Sequence, residues 1–115
     1  MKNVSFVKRW VNGLANCEVD QTTAYLHTED GFCCLGFACH LEDPNNWKYK
    51  GSRLYSYEDY TYGLPTDIRL KLGLTSIQEH FLQSMNDGGK TFPEIAQYLK
   101  DNVYTDINFE EKNDA

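Results

Sequence analysis

Residues 32–41 read Phe-Cys-Cys-Leu-Gly-Phe-Ala-Cys-His-Leu, a run that is almost wholly apolar. A segment of this length fits a buried helix or a central strand. The small residues Gly36 and Ala38 and the lack of any β-branched side chain favour the helix. Asp30 stands where it can cap its start, and Asp43-Pro44-Asn45-Asn46 ends it, since proline cannot continue a helix and asparagine favours turns. With a helix at the centre, the flanking segments become the layers packed on it.

Upstream, Val4, Val7, Val11 and Leu14 recur at steps of three and four, which predicts an amphipathic helix over 3–15 with Asn3 at its cap. Residues 22–27, Thr-Thr-Ala-Tyr-Leu-His, are β-prone and predict a short strand. Downstream, residues 47–62 hold Trp47, Tyr49, Tyr55, Tyr57, Tyr60 and Tyr62, with Lys50-Gly51-Ser52 as a turn between extended pieces. Leu64, Ile68 and Leu72 then mark a helix that Gly73 ends. Thr75 with Gln78, or Ser76 with Glu79, opens another helix, whose buried face is expected from Ile77, Phe81, Leu82 and Met85. After Asn86-Asp87-Gly88-Gly89, Thr91 and Glu94 form a second capping box. The last helix turns Phe92, Ile95, Ala96, Leu99 and Val103 inward.

The expectation is an α+β fold: a single small domain over 1–103, with four to five short helices packed on a small antiparallel β element, and a mobile acidic tail over 104–115. The 115 residues carry 17 Asp+Glu against 11 Lys+Arg, a net charge of −6 that argues against direct binding to a phosphate backbone. No apolar run of about 18 residues is present to span a bilayer. Met1-Lys2-Asn3 does not lead into the apolar stretch of a signal peptide either, so a cytoplasmic protein is expected.

Phe32-Cys33-Cys34-Leu35-Gly36 with Cys39, then Leu64-Pro65, then Gly73-Leu74, then Asn86-Asp87 through Ile95-Ala96 with Leu99 resemble, in order, the pattern of a family of small bacteriophage and prophage proteins of unknown function. The resemblance covers roughly residues 4–103, and Cys17 and His40 fall outside it. It implies a phage accessory protein acting in the bacterial host. By class alone it points to an inhibitor of host defence, most concretely an anti-CRISPR protein bound to a CRISPR nuclease. The alternatives are a nucleotide-sequestering sponge or small cysteine-dependent enzyme, and a structural or regulatory accessory protein.

Four groups of residues are candidates for chemistry. Zinc takes four thiolate or imidazole ligands, which makes Cys17, Cys34, Cys39 and His40 the candidate metal set, with Cys33 and His27 as substitutes. Cys34 and Cys39 lie about 140° apart on a helical wheel, so such a site needs a break near Gly36. Thiols packed as small buried hydrophobes are the preferred reading: no cofactor, with one structural zinc as the alternative. Cys33 or Cys34 at a helix start, with His27, His40 or His80 as base, outlines a nucleophile, but nothing supplies an orienting group, and no enzyme is expected. Gly88-Gly89 reads as a helix-linking loop ahead of an anion site.

The fourth group is a surface. Trp47, Tyr55, Tyr57, Tyr60 and Tyr62 give large contact area with few rotors, and Glu18, Asp20, Glu29 and Asp30 form an acidic stretch free of Lys or Arg. Together they are the expected partner-binding residues, set against a basic groove on a host protein.

Overall fold

The structure is a computed structural model that describes residues 2–110, and among them it is an α+β fold of five helices and one four-stranded antiparallel sheet. The helices are α1 (Val4–Ala15), α2 (Cys34–Glu42), α3 (Thr66–Lys71), α4 (Ser76–Asp87) and α5 (Phe92–Asn102). The strands are β1 (His27–Thr28), β2 (Gly31–Phe32), β3 (Trp47–Gly51) and β4 (Leu54–Tyr57), in the order β2-β1-β4-β3. None of these helices is long and apolar enough to cross a membrane.

The apolar run is the centre of the fold. Residues 34–39 of α2 are all buried, with α1 on one side and α4 on the other, while α1 also lies along α5. Trp10 of α1 is fully buried, and its indole N–H donates to the Cys34 carbonyl at 2.8 Å, meeting the demand a buried indole makes for a partner. Gly36 is required by packing: a Cβ there would overlap the Leu26 carbonyl, so only glycine lets α2 lie this close to the chain entering β1.

Asn3 caps α1 by accepting from the Phe6 amide at 3.0 Å, and both capping boxes form, Thr75 with Gln78 and Thr91 with Glu94. Helix α2 departs from expectation. Its cap is Cys33, whose Sγ accepts from the Gly36 amide at 3.3 Å, while Asp30 lies in the β1–β2 turn and pairs with Arg53.

Three further expectations are corrected. Of the 22–27 segment only His27 is strand, joined by Thr28 just beyond it, because Ala24 takes a left-handed φ of 74° and breaks the extended run. The chain does not leave the body at residue 103: Tyr104 is buried and donates its hydroxyl proton to the Leu72 carbonyl at 2.6 Å, and Ile107 and Phe109 pack behind it. The remainder of the expected tail, 111–115, lies outside the described residues.

The third correction concerns α4. Ile77 is 80% exposed and Phe81 50%, with the Phe81 ring resting against Tyr98. Leu82 is buried as expected and Met85 packs partly against the core, but Gln83 and Asn86 take the rest of the inward face. Ile77 and Asn86 are about 180° apart on the helix, so one can be buried only by exposing the other. The reason Asn86 wins is its hydrogen bonding. Its Oδ1 accepts from the Cys34 amide at 3.1 Å and from Gln21 Nε2 at 2.9 Å, and its Nδ2 donates to the Thr22 carbonyl at 2.8 Å. Gln21 completes this clasp, donating to the Lys90 carbonyl and accepting from the Phe92 amide at the start of α5.

Candidate protein-binding face

Strand register assembles the site. Phe32 pairs with His27, His27 with Tyr55, and Tyr55 with Tyr49, so one ring from each strand stands in a row on the same face of the sheet. His27 is held between Phe32 (centroids 3.9 Å apart, planes 9° apart) and Tyr55 (4.4 Å, 16°), and Tyr49 meets Tyr55 edge-on at 5.3 Å. Two residues along each strand, and therefore on the same face, Trp47 pairs with Tyr57. That end is covered: Tyr57 is buried, and His40 of α2 packs on Phe32 at 4.6 Å. At the other end Tyr49 is 55% exposed.

The two histidines take opposite tautomers. His27 Nδ1 is 2.8 Å from the Gly31 carbonyl oxygen, which has no proton to give, so Nδ1 carries the hydrogen and Nε2 of the neutral ring is an acceptor. His40 Nδ1 instead accepts from the Trp47 indole N–H at 3.3 Å, which places its proton on Nε2. Burial lowers the pKa of both rings, and for His40 the neighbouring His27 adds to the effect.

Beside this row lies an open hollow of about 450 Å³, bounded by His27, Phe32 and Tyr55 and by Val19, Asp20, Glu29 and Asp30. A second hollow of about 310 Å³ lies around Thr28 and Leu54, whose side chains alternate to the opposite face. Arg53 borders that second hollow and reaches Asp30 at 2.6 Å and Glu29 at 3.5 Å. Ser52 and Arg53 hold left-handed φ of 53° and 65°, the signature of a tight two-residue hairpin turn built without glycine or asparagine.

The expected partner-binding residues therefore divide. Asp20, Glu29, Asp30 and Tyr55 converge on the hollow beside the row. Tyr60 and Tyr62 are exposed after the next turn, while Trp47 is half-buried at the covered end. Tyr57 is corrected from surface anchor to core: it is 3% exposed, and burial pushes its hydroxyl up to about 12. Glu18 is taken up by Arg9, which grips both of its carboxylate oxygens at 2.7 and 3.0 Å. His27, Phe32 and Tyr49 are the residues that sequence reasoning did not place on this face. Tyr49 is joined to Tyr55 by a turn whose positive φ values fall on the non-glycine residues Ser52 and Arg53, and His27 and Phe32 are joined by pairing between strands of two residues each.

The candidate metal set is not brought together. Cys17 is exposed beyond α1, Cys34 and Cys39 are buried in α2, and His40 faces the aromatic row. Among the described residues no group of three or more His, Cys, Asp or Glu is arranged to hold a metal ion. Burial raises the thiol of Cys33 to about 11 and those of Cys34 and Cys39 well above the ordinary range, so all three are protonated at neutral pH. Cys34 Sγ is 3.8 Å from the Leu82 carbonyl, a packing contact between α2 and α4.

A family model described as a domain of unknown function, DUF8296, matches residues 1–71. The chain belongs to this family. No curated protein and no solved structure matches it. The DUF8296 match takes in α1 to α3 and every strand of the sheet, and so the whole aromatic row with its acidic rim. Helices α4 and α5, which carry Asn86 and the rest of the clasp, lie beyond the matched stretch.

Proposed function

We propose that this chain is a non-enzymatic binding domain that recognises the basic surface of a partner protein through the open end of its aromatic row. One observation carries the reading. Tyr55 lines one hollow together with Asp20, Glu29 and Asp30, and Tyr49 meets the Tyr55 ring edge-on, so rigid aromatic area and negative charge adjoin. Aromatic anchors dominate protein interfaces, and a carboxylate rim steers and orients a basic partner. The net charge of −6 supports the same sign of partner.

In its most concrete form the partner is a CRISPR nuclease, whose guide-and-target channel is positively charged, and the chain is a phage anti-defence inhibitor that occupies it. That form rests on the resemblance to phage accessory proteins. The test is a titration of the purified chain into a guide-loaded nuclease, read by size-exclusion chromatography and target cleavage. A stoichiometric complex that slows cleavage, weakens with salt and is lost in Tyr49→Ala is the expected result. No complex with the nuclease rejects the CRISPR form. Absence from host lysate of any partner captured in a Tyr49-dependent, salt-sensitive manner rejects the binding reading as a whole.

A further inference from the structure

We infer that the hollow beside His27 is a receptor for the guanidinium of a single arginine side chain presented by the partner. The inference rests on the protein-binding reading and names the group that the site would take. Three features converge. His27 is fixed by its Nδ1–H bond to the Gly31 carbonyl and by stacking between Phe32 and Tyr55, so its ring cannot turn to offer a donor. Nε2, at the end of the ring away from the main chain, makes no hydrogen bond among the described residues. It is an oriented acceptor beside an open hollow of about 450 Å³, room for a side chain and several waters at roughly 30 Å³ each.

The rim of the same hollow is anionic. Asp20, Glu29 and Asp30 border the hollow, and the carboxylate of Asp20 has no ion-pair partner among the described residues. The chain already shows what this rim accepts, because its own Arg53 donates to Asp30 at 2.6 Å from the neighbouring hollow. A second guanidinium entering beside His27 would find an imidazole acceptor and the Asp20 carboxylate, and would lie against the aromatic rings of Phe32 and Tyr55.

Arginine fits better than the other cations. Its planar fork donates in two directions from one group and stacks on aromatic surfaces, whereas a lysine ammonium is a compact and strongly hydrated point charge. An anionic ligand, including a nucleotide phosphate, meets the wrong charge. A divalent ion finds no set of three ligands among the described residues.

The experiment is an NMR titration of the full chain with N-acetyl-arginine amide, following the His27 imidazole and the Phe32 and Tyr55 rings. N-acetyl-citrulline amide, of the same shape without the charge, and N-acetyl-lysine amide are the controls. Saturating shifts confined to these rings are expected with the arginine probe. They should be weaker with lysine, absent with citrulline and weakened roughly fivefold in Asp20→Asn. Asp20 uses its main-chain carbonyl, not its carboxylate, to hold the fold, so that variant stays folded. His27→Phe, which keeps a ring in the stack and removes Nε2, should abolish the response.

Equal shifts with citrulline, shifts scattered over all acidic groups, or an unchanged response in Asp20→Asn would overturn the inference. The outcomes separate it from the reading beneath it. A Tyr49-dependent protein complex with no arginine response sinks the receptor and leaves the binding function. An arginine response with no basic protein partner supports the receptor and rejects the proposed function.

Discussion

Asn86 and His27 are both polar side chains fastened to main-chain carbonyls, yet they end in opposite states. Asn86 is fully buried, and its amide oxygen and nitrogen are both spent inside the molecule, on Cys34, Gln21 and Thr22. His27 has one nitrogen spent on Gly31 and the other left over at the edge of a hollow. The first arrangement is a clasp that ties α2, α4, the start of α5 and the entry to β1 into one body. The second is a row of rings that is closed at Tyr57 and open at Tyr49. A polar group with every partner supplied from within has a structural explanation already. One held rigidly with a lone pair to spare is where a ligand is to be sought.

Gly36 sits between the two regions, and changing it should damage both. In Gly36→Ala the new methyl overlaps the Leu26 carbonyl, next to His27 on one side and two residues from Cys34 on the other. The main chain must move, at a cost of about 4 kcal/mol, as expected for a collision with backbone in a packed core. Denaturant unfolding should show a chain that is unfolded or nearly so. A stable Gly36→Ala variant would mean that α2 does not pack directly on the chain entering β1.

The two ends of the aromatic row should separate next. Tyr57→Ala removes a buried ring that meets Trp47 at 5.2 Å and should cost about 3–4 kcal/mol. Tyr49→Ala loses an exposed ring, and with it the hydroxyl that accepts from the Arg53 amide at 3.2 Å, for less than about 1 kcal/mol. Melting curves of the two variants side by side check this. Equal losses would erase the distinction between a covered and an open end.

Asn86→Ala should break the clasp without touching the row. It strips the Cys34 amide and the Thr22 carbonyl of their partners in a buried place, a loss of about 2–3 kcal/mol. Asn86 also shows how much was legible in the sequence. The helices, their capping boxes and the central role of 32–41 followed from periodicity and local hydrogen bonding, which are properties of neighbouring residues. The burial of Asn86 over Ile77 and Phe81 did not. Hydrophobicity ranks Ile77 and Phe81 first, and only the distant Gln21, Thr22 and Cys34 reverse the order. The candidate site was half legible for the same reason. Asp20, Glu29, Asp30 and Tyr55 stood out by composition. His27 and Phe32 joined them only through pairing across strands of two residues each, where alternation is too short to read.

The smallest effect is one of acidity, and it should appear in the row alone. Burial holds the pKa of His27 and of His40 below the unfolded value near 6.5. Between the folded and unfolded values the unfolded chain binds more protons, so stability increases with pH across that window. The contribution is complete above the unfolded pKa and drains away as pH falls through the folded ones, leaving the protein less stable at about pH 5 than at about pH 7. The hydrogen bond of His27 Nδ1 to the Gly31 carbonyl pulls in the opposite sense, and keeps the change modest. Protonating His40 Nδ1 also takes away the acceptor of the Trp47 indole, so the loss carries a local signature in tryptophan fluorescence. The amides of Asn86 and Gln21 have no proton to gain in this range. Histidine titrations by NMR, with amide exchange followed at Cys34 and at His27, should show the row loosening on acidification while the clasp stays shut. Loosening of both together would show that the two regions open as one unit.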